Sequence, residues 1–374
     1  MRIVHILNEV VSTGNGICNA TVDLACTQSQ AGHQVSVVSS GGGYIDLLAR
    51  YNVPHHTVYL RPRSLRLWYD VPRLRSIIRS IQPDIVHAHT MAAAVLMNLG
   101  RAFGGFGDYG LVTTVHNEWR RSSNLMRLGD YLIVLSDNGR NSFVKRGVPE
   151  HRLKVVPHGI LHSPRWFNDI EVDKRVIEQS GVGQVIITTA GLYIRKGIGE
   201  LIQAFGQIAD EFPNASLLIL GWGPDQKVFE QQIDSVKGGE RIQLKGFVAK
   251  PRPILSQAAV FVLASYTETF PLAVAEAREA GCAIVASKVG GVPDLLEHGR
   301  AGLLIPPRNA DAVAEALRRL LGDPNELAYW RQAARSNLEW FSCERMEKET
   351  TNVYVSLLRE RSDQRKPTES VAKY

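Results

Sequence analysis

"ETFPLAVAEAREAG", residues 268–281, lies between "AAVFVLAS" (258–265) and "CAIVAS" (282–287). Both flanks are short, continuous apolar runs, the pattern of strands covered on both faces of a parallel sheet. The alanine-rich stretch between them has helical spacing, so strand, loop, helix and strand follow as one βαβ unit. A helix is expected over about 271–279, with Pro271 suited to its first turn. Three glutamates ride on the segment. Glu268 falls in the loop after the first strand, Glu276 in the second helical turn, and Glu279 almost a turn later, where a solvated position is expected. A carboxylate accepts hydrogen bonds only, and its two oxygens suit a vicinal diol. Spacing alone leaves a sugar clamp and a plain capped helix as equal readings.

The same alternation runs along the chain. "RIVHIL" (2–7), "QVSVVSS" (34–40), "DIVHAH" (84–89) and "GLVTTVH" (110–116) read as strands, with a helix over about 17–30. A second set follows: "QVIITTAGL" (184–192), "ASLLILG" (215–221), "RIQLKGFV" (241–248) and the two flanks above. Helices near 197–210, 224–236, 251–258 and 309–321 fall among or after them. Strands alternating with helices specify an α/β architecture with parallel sheets, and two sets specify two doubly wound, Rossmann-like halves. A chain of 374 residues exceeds one ordinary core and suits two. The expected division is a domain over 1–165, a mixed polar linker over 166–182 and a second domain over 183–340. A helix over 341–361 is expected to cross back to the first domain, followed by a polar tail over 362–374.

An apolar fraction of 44% and a charged fraction of 21% exclude a disordered chain. No run approaches the roughly 18 apolar residues of a membrane-spanning helix, and "MRIVHILNEVVSTGNG" reads as a first strand rather than a signal peptide. Cys18, Cys26, Cys282 and Cys343 include no CxxC pair, so they read as buried, reduced thiols of a cytoplasmic protein.

Ligands of open parallel sheets sit at the carboxyl ends of strands, beside helix N-termini. "STGNG" (12–16) follows the first strand there, and Gly14 and Gly16 would let a backbone approach a ligand. Neither this loop nor "GWGPDQ" (221–226) completes GxGxxG, which leaves an NAD-dependent oxidoreductase without its fingerprint. His87, His89, His116 and His158 close strands. Zinc on His87 and His89 lacks further ligands in the sequence, so no metal is expected, whereas His116 stands at a strand tip where substrates bind. In "GLYIRKG" (191–197), Arg195 and Lys196 precede a helix, a fitting grip for a diphosphate or an equally fitting solvated loop.

Glu268 and Glu276 form an E-x7-E pattern. With "VGGVPDLLEHGRAGLLIPP" (289–307), "PDIVHAH" (83–89), "VTTVHN" (112–117), "KVVPHGI" (154–160) and "LLILGWGP" (217–224), the chain resembles family 4 retaining glycosyltransferases along nearly its whole length. The resemblance implies the glycosyltransferase B fold: two doubly wound Rossmann-like domains facing across a cleft. It implies sugar transfer from a nucleoside diphosphate-sugar, UDP- or GDP-linked, to a sugar, lipid-linked or small-molecule acceptor, with no separate cofactor. It assigns Glu276 to the ribose hydroxyls, Glu268 to the donor sugar, and the amides of Phe270 and Leu272 to the sugar or diphosphate. Lys196 would meet the leaving-group charge, Gly16 would approach the phosphates or acceptor, His116 would touch the sugar, and Gly246 to Val248 would read the base. The chain departs from the family pattern at Leu192, where arginine is common and Arg195 is the candidate substitute. It departs also at His158, in place of asparagine, and at Asn15, which separates the first-loop glycines. The absence of any DxD triplet agrees with a metal-independent reaction. A non-catalytic nucleotide-sugar-binding module on the same fold is the alternative.

Charge is unevenly spread. Residues 61–79 hold six arginines against the single acid Asp70, and "EWRRSSNLMRLG" (118–129) adds three more beside Trp119 and Met126. Two readings stand: a solvated face, or peripheral attraction to anionic lipid at the inner face of a membrane. No nucleic-acid module is recognisable.

Overall fold

The structure is a computed structural model that describes residues 1–12, 14–60, 67–166 and 184–365. The arginines at 61, 63 and 66, the linker beyond Trp166 and the tail beyond Arg365 lie outside the described residues. The chain divides into two compact units: Met1–Leu135 with Arg140–Pro157 and Cys343–Tyr374, and Ser136–Gly139 with His158–Ser342.

The first unit is built on a parallel sheet of seven strands: β1 (Arg2–Ile6), β2 (Gln34–Ser39), β3 (His55–Thr57), β4 (Ile85–Ala88), β5 (Gly110–Thr114), β6 (Tyr131–Val134) and β7 (Leu153–Val155). Their order is β3-β2-β1-β4-β5-β6-β7. Along β1, β2, β4, β5 and β6, alternate residues enter different cores. Ile3, Leu7, Val35, Val37, Ile85 and Val112 pack with Val22 and Ala25 of the helix Gly16–Gln30 and with Met346, Tyr354 and Leu357 of the helix Cys343–Arg365. Val4, Ile6, Val38, Val86 and Leu132 face the opposite layer, with Leu74, Ile78 and Met97. Covering both faces is what makes these strands read as unbroken apolar runs, and each fully buried Leu or Ile stabilises by about 1.5–3 kcal/mol.

The second unit has six parallel strands: β8 (Val185–Thr189), β9 (Ser216–Leu220), β10 (Ile242–Gly246), β11 (Val260–Leu263), β12 (Ala283–Ser287) and β13 (Leu303–Ile305), in the order β10-β9-β8-β11-β12-β13. One face packs Ile186, Leu217, Val260 and Val285 against Leu201, Ile202 and Phe205 of the helix Ile198–Ile208 and Val313 and Leu317 of the helix Ala310–Gly322. The helix Leu272–Ala280 connects β11 to β12. It is pinned by the 1% exposed Arg278, which donates to Ala334 O at 2.8 Å, Ser336 O at 2.7 Å, Leu295 O, and Glu297 Oε1 at 2.8 Å.

The structure adds and corrects elements. Three of the strands absent from the sequence reading, β3, β7 and β13, are three residues long, too short to show a period of two; β6, "YLIV", is only four. The 251–258 helix shrinks to Arg252–Leu255: Pro251 and Pro253 fit its first turn, where no N–H is needed, and beyond Leu255 the backbone turns with three-residue bonds, Gln257 N–H to Ile254 O at 3.2 Å and Ala258 N–H to Leu255 O at 3.0 Å. The C-terminal helix continues to Arg365, four residues past the expected end. Arg361 anchors that end by donating to Asp108 and, at 3.5 Å, to Asp130, while Tyr131 donates its hydroxyl proton to Glu360.

Candidate functional site

In each sheet the chain starts in the middle, winds to one edge, then returns to wind the other way. The switch falls between β1 and β4 in the first sheet and between β8 and β11 in the second. Loops leaving adjacent strands at such a point part to opposite sides of the sheet, which opens a binding crevice at the carboxyl ends.

At the second switch point, Lys196 follows β8 and Glu268 follows β11. They meet: Lys196 Nζ donates to Glu268 Oε1 at 2.5 Å, with side-chain exposures of 18% and 6%. Two glycines make the meeting possible. Gly197, the residue after Lys196, has φ +66, and a Cβ there would lie 2.0 Å from Ala264 O. Gly290, in the "GGVP" turn, has φ +53, and a Cβ would lie 1.7 Å from Glu268 O. The neighbouring Gly291 N–H donates to Thr269 O at 2.9 Å, and Tyr266 N–H donates to Arg195 O at 2.9 Å. The "RKG", "ETF" and "GGVP" loops are thus fastened backbone to backbone.

The helices Ile198–Ile208 and Leu272–Ala280 begin immediately after these loops, and neither N-terminus has a side-chain cap. Their first amides and positive dipole ends are available to an anion. Phe270 is buried, its ring edge-on to His158 at 6.0 Å and 6.2 Å from Trp340. Leu272 is buried at the helix start and Glu276 is half-buried one turn on. Arg195 is half-buried with its guanidinium 5.4 Å from the Tyr193 ring. Leu192 is 1% exposed inside the core cluster, an environment with no room for an arginine's charge. Gly246 closes β10, its carbonyl accepting from Gly221 N–H at 2.8 Å, and Val248 is half-buried beyond it.

Glu279 departs from expectation. It is not solvated: its side chain is 7% exposed and accepts from Arg252 at 2.8 Å. Burial raises its pKa, Arg252 opposes the rise, and Glu276 adds to it. Helical spacing placed Glu279 beside Glu276, but the proximity of Arg252 was not readable from the sequence.

In the first unit, Gly16 opens the helix Gly16–Gln30, and Asn15 Oδ1 caps it by accepting from Ile17 N–H at 3.1 Å. The asparagine between the two glycines therefore serves as the N-cap. His116 lies two residues past β5 and heads a group the sequence reading had only in part. His5 on β1 and His87 on β4 are register partners, and His89 follows β4 on the same side. His5 Nδ1 and His89 Nε2 share a hydrogen bond of 2.9 Å, His89 Nδ1 and His116 Nε2 one of 3.1 Å, and His5 Nε2 bonds Gln28 Oε1 at 2.7 Å. His87 bonds Tyr354 Oη and Thr114 Oγ1, both at 2.6 Å. Burial lowers the pKa of His5 to about 4, against a rise from Gln28, and that of His116 to about 3. The ligand atoms of His5, His87 and His89 lie within 4.8 Å of one another, as a metal would require. Their nitrogens are engaged in this hydrogen-bond network instead, and a shared Zn²⁺ would have to break it. His5 and Gln28 were missed by the sequence reading; the signal was the period of two that puts Ile3, His5 and Leu7 on one face.

Gly16 and His116 belong to the first unit, and Lys196, Arg195, Gly246, Val248, Glu268, Phe270, Leu272 and Glu276 to the second. Chemically, the second unit offers a lysine, two uncapped helix N-termini and a carboxylate in one loop cluster, a setting for an anion joined to a polyol.

The family model of glycosyltransferase family 4 matches residues 14–162, and that of glycosyl transferases group 1 matches residues 169–337. The chain belongs to glycosyltransferase family 4. It is a glycosyltransferase with two parallel-sheet units of the glycosyltransferase B fold. It is similar to N-acetyl-alpha-D-glucosaminyl L-malate synthase of Bacillus anthracis, 22% identical over 93% of this chain and 95% of that protein. It is also similar to the phosphatidylinositol N-acetylglucosaminyltransferase gpi3 subunit of Schizosaccharomyces pombe, 25% identical over 88% of this chain and 75% of that protein. Among solved structures, Anabaena Alr3699/HepE in complex with UDP and glucose shares the fold with a TM-score of 0.80 at 20% identity, covering 95% of this chain and 100% of that one. Among the described residues, no helix of this family member is long and apolar enough to cross a membrane.

Proposed function

We propose that this glycosyltransferase moves a sugar from a UDP-sugar to an acceptor hydroxyl with retention at the anomeric carbon, in the synthesis of a surface glycan or glycolipid. The observation that carries the reading is the Lys196–Glu268 contact at the β8/β11 switch point, between two uncapped helix starts. Lys196, with Arg195 and the amides at Phe270 and Leu272, meets the charge developing on the departing diphosphate, so the transfer proceeds without a metal. Glu268 holds hydroxyls of the donor sugar and Glu276 those of the ribose. Gly246 to Val248 take the base. Gly16 admits the phosphates or acceptor, and His116 contacts the sugar near its reacting carbon. The UDP bound in the Anabaena relative supports a uridine nucleotide over a guanosine one.

The acceptor is a sugar or lipid-linked molecule reached from an anionic membrane surface, the cytoplasmic face being the expected site. Phe103 is 84% exposed just past the helix Met91–Ala102, and the segment Arg121–Leu128 packs on that helix. Leu99, Trp119 and Leu125 are exposed on or beside these elements, with Arg120, Arg121 and Arg127 exposed around them. Apolar tips ringed by arginine suit insertion among anionic head groups.

A thermal-shift panel of UDP-, GDP-, ADP- and dTDP-sugars tests the donor, since a bound ligand raises apparent stability. UDP-sugars should give the shift, Lys196→Ala and Glu276→Ala should abolish it, and turnover should survive EDTA. A shift with none of the four, or full turnover in both variants, would sink the assignment.

A further inference from the structure

A carboxylate is stabilised near a helix N-terminus, where it meets open amides and the positive end of the dipole. The third residue of the first turn is the one whose side chain ordinarily folds back over that end. In the helix Ile198–Ile208, whose N-cap is Gly197, that residue is Glu200. A Glu200 folded back in this way would lie across the N-terminus assigned above to the diphosphate, and two anions repel one another there. The structure holds it elsewhere. Tyr266, two residues before Glu268, donates its hydroxyl proton to Glu200 Oε1 at 2.5 Å, and the helix start is left without a side-chain cap. Lys196 is four residues before Glu200, yet it pairs with Glu268 instead.

We propose that Tyr266 is a positioning residue: by binding Glu200 it keeps the protein's own carboxylate off the N-terminus of the helix Ile198–Ile208 and off Lys196, and so leaves both to the donor diphosphate. The diphosphate's place is the reading given above; the Tyr266–Glu200 bond does not depend on it. Three observations hold the phenol to this task. Its backbone N–H donates to Arg195 O at 2.9 Å, which ties the residue to the loop that carries Lys196 and leads into the helix. Arg308 sets its guanidinium 4.4 Å from the ring centroid. It does so from a left-handed backbone, φ +59, which a residue other than glycine keeps only where its surroundings impose it. The next residue, Asn309, is the N-cap of the helix Ala310–Gly322, its Oδ1 accepting from Ala312 N–H at 2.9 Å. The phenol also keeps its proton: burial, then the hydrogen bond and charge of Glu200, push its pKa up to about 12, with Arg308 opposing. A protonated hydroxyl facing a carboxylate is a lasting donor.

The test is calorimetric titration of the full chain with UDP, together with KM and kcat for a UDP-sugar. Tyr266→Phe keeps the ring beside Arg308 and removes only the bond. It should weaken UDP binding about fivefold, the scale of one charge at a helix end. KM should rise in step with kcat little changed, because the competing carboxylate opposes ground and transition states alike. Glu200→Asp keeps the charge but draws it back from the phenol, and should do the same. Glu200→Gln removes the charge and should bind UDP at least as tightly as the wild type, and Tyr266→Phe/Glu200→Gln should match it. That rescue separates a restrained carboxylate from a loop merely held in shape, for which the double variant would bind worst. Equal UDP binding in Tyr266→Phe and the wild type, or a double variant as weak as Tyr266→Phe, overturns the proposal and leaves the donor assignment standing. A wild type that binds no UDP overturns the donor assignment, and the proposal with it. If Tyr266→Phe does not fold, Glu200→Asp against Glu200→Gln gives the same contrast with Tyr266 in place, and equal UDP binding by those two overturns the proposal.

Discussion

Lys196 and Glu268 are 72 residues apart in the chain, yet Nζ and Oε1 lie 2.5 Å apart at the carboxyl ends of neighbouring strands. An ion pair this little exposed holds both side chains in place before any ligand arrives. A diphosphate would compete for the lysine and free the carboxylate for hydroxyl groups. Lys196→Met should therefore lower kcat/KM for a UDP-sugar about 100-fold, the scale of losing one charge-stabilising donor. A double-mutant cycle with Glu268→Gln, followed by chemical denaturation, should show a coupling of about 1–3 kcal/mol. Additive effects, with coupling near zero, would show the contact to be incidental.

Gly290 determines where Glu268 stands. Gly290→Ala combines a left-handed backbone, φ +53, with a Cβ 1.7 Å from Glu268 O. The expected loss is at least about 2 kcal/mol, with weaker donor binding because the "ETF" loop must shift. Gly104→Ala is the control: φ is +68 but nothing lies within 4 Å of the new Cβ. It should cost only about 1 kcal/mol and leave donor binding alone. Melting temperature and UDP titration read both quantities; equal effects in the two variants would remove Gly290 from the site's support.

The buried histidines make the first unit acid-labile. His5 titrates near 4 when folded against 6.5 when exposed, so the unfolded chain binds its proton first. The stabilising difference is complete above pH 6.5 and is lost as pH falls from 6.5 toward 4, at up to about 1.4 kcal/mol per unit. His116, His33, His55 and His56 are shifted in the same direction. Melting temperature should fall steadily over that window, and His5→Phe should flatten the slope by about one proton. A profile unchanged by the substitution would mean that His5 is not held neutral.

Phe103 tests the membrane surface. Sedimentation with vesicles containing anionic lipid should carry the protein down, while neutral vesicles should not. Phe103→Ser should weaken binding at least severalfold without altering melting temperature, because the ring is 84% exposed and supports no core. Equal binding to both vesicle types, or to neither, would refute the surface.

Much of the site was legible because each part was announced locally. "RKG" and "ETFPLAVAEAREAG" each read as a loop entering a helix, and the loop cations and carboxylate are simply the polar residues those loops contain. What the loops touch was not legible. Glu279 read as solvated because helical spacing shows which residues share a face, and cannot show that Arg252 from another segment lies against it. Leu192 raised the question of a missing arginine, which the core around it answers: that position points inward.

Composition, periodicity and motif order by themselves determined an α/β chain of two doubly wound halves and its family, because those signals are carried by residues near one another in sequence. Tertiary structure alone decided three things: the Lys196–Glu268 pair, the backbone contact of Gly290 with Glu268, and the line from Gln28 through His5 and His89 to His116. Each joins segments from 22 to 84 residues apart, and only strand register and the switch point of each sheet bring them together.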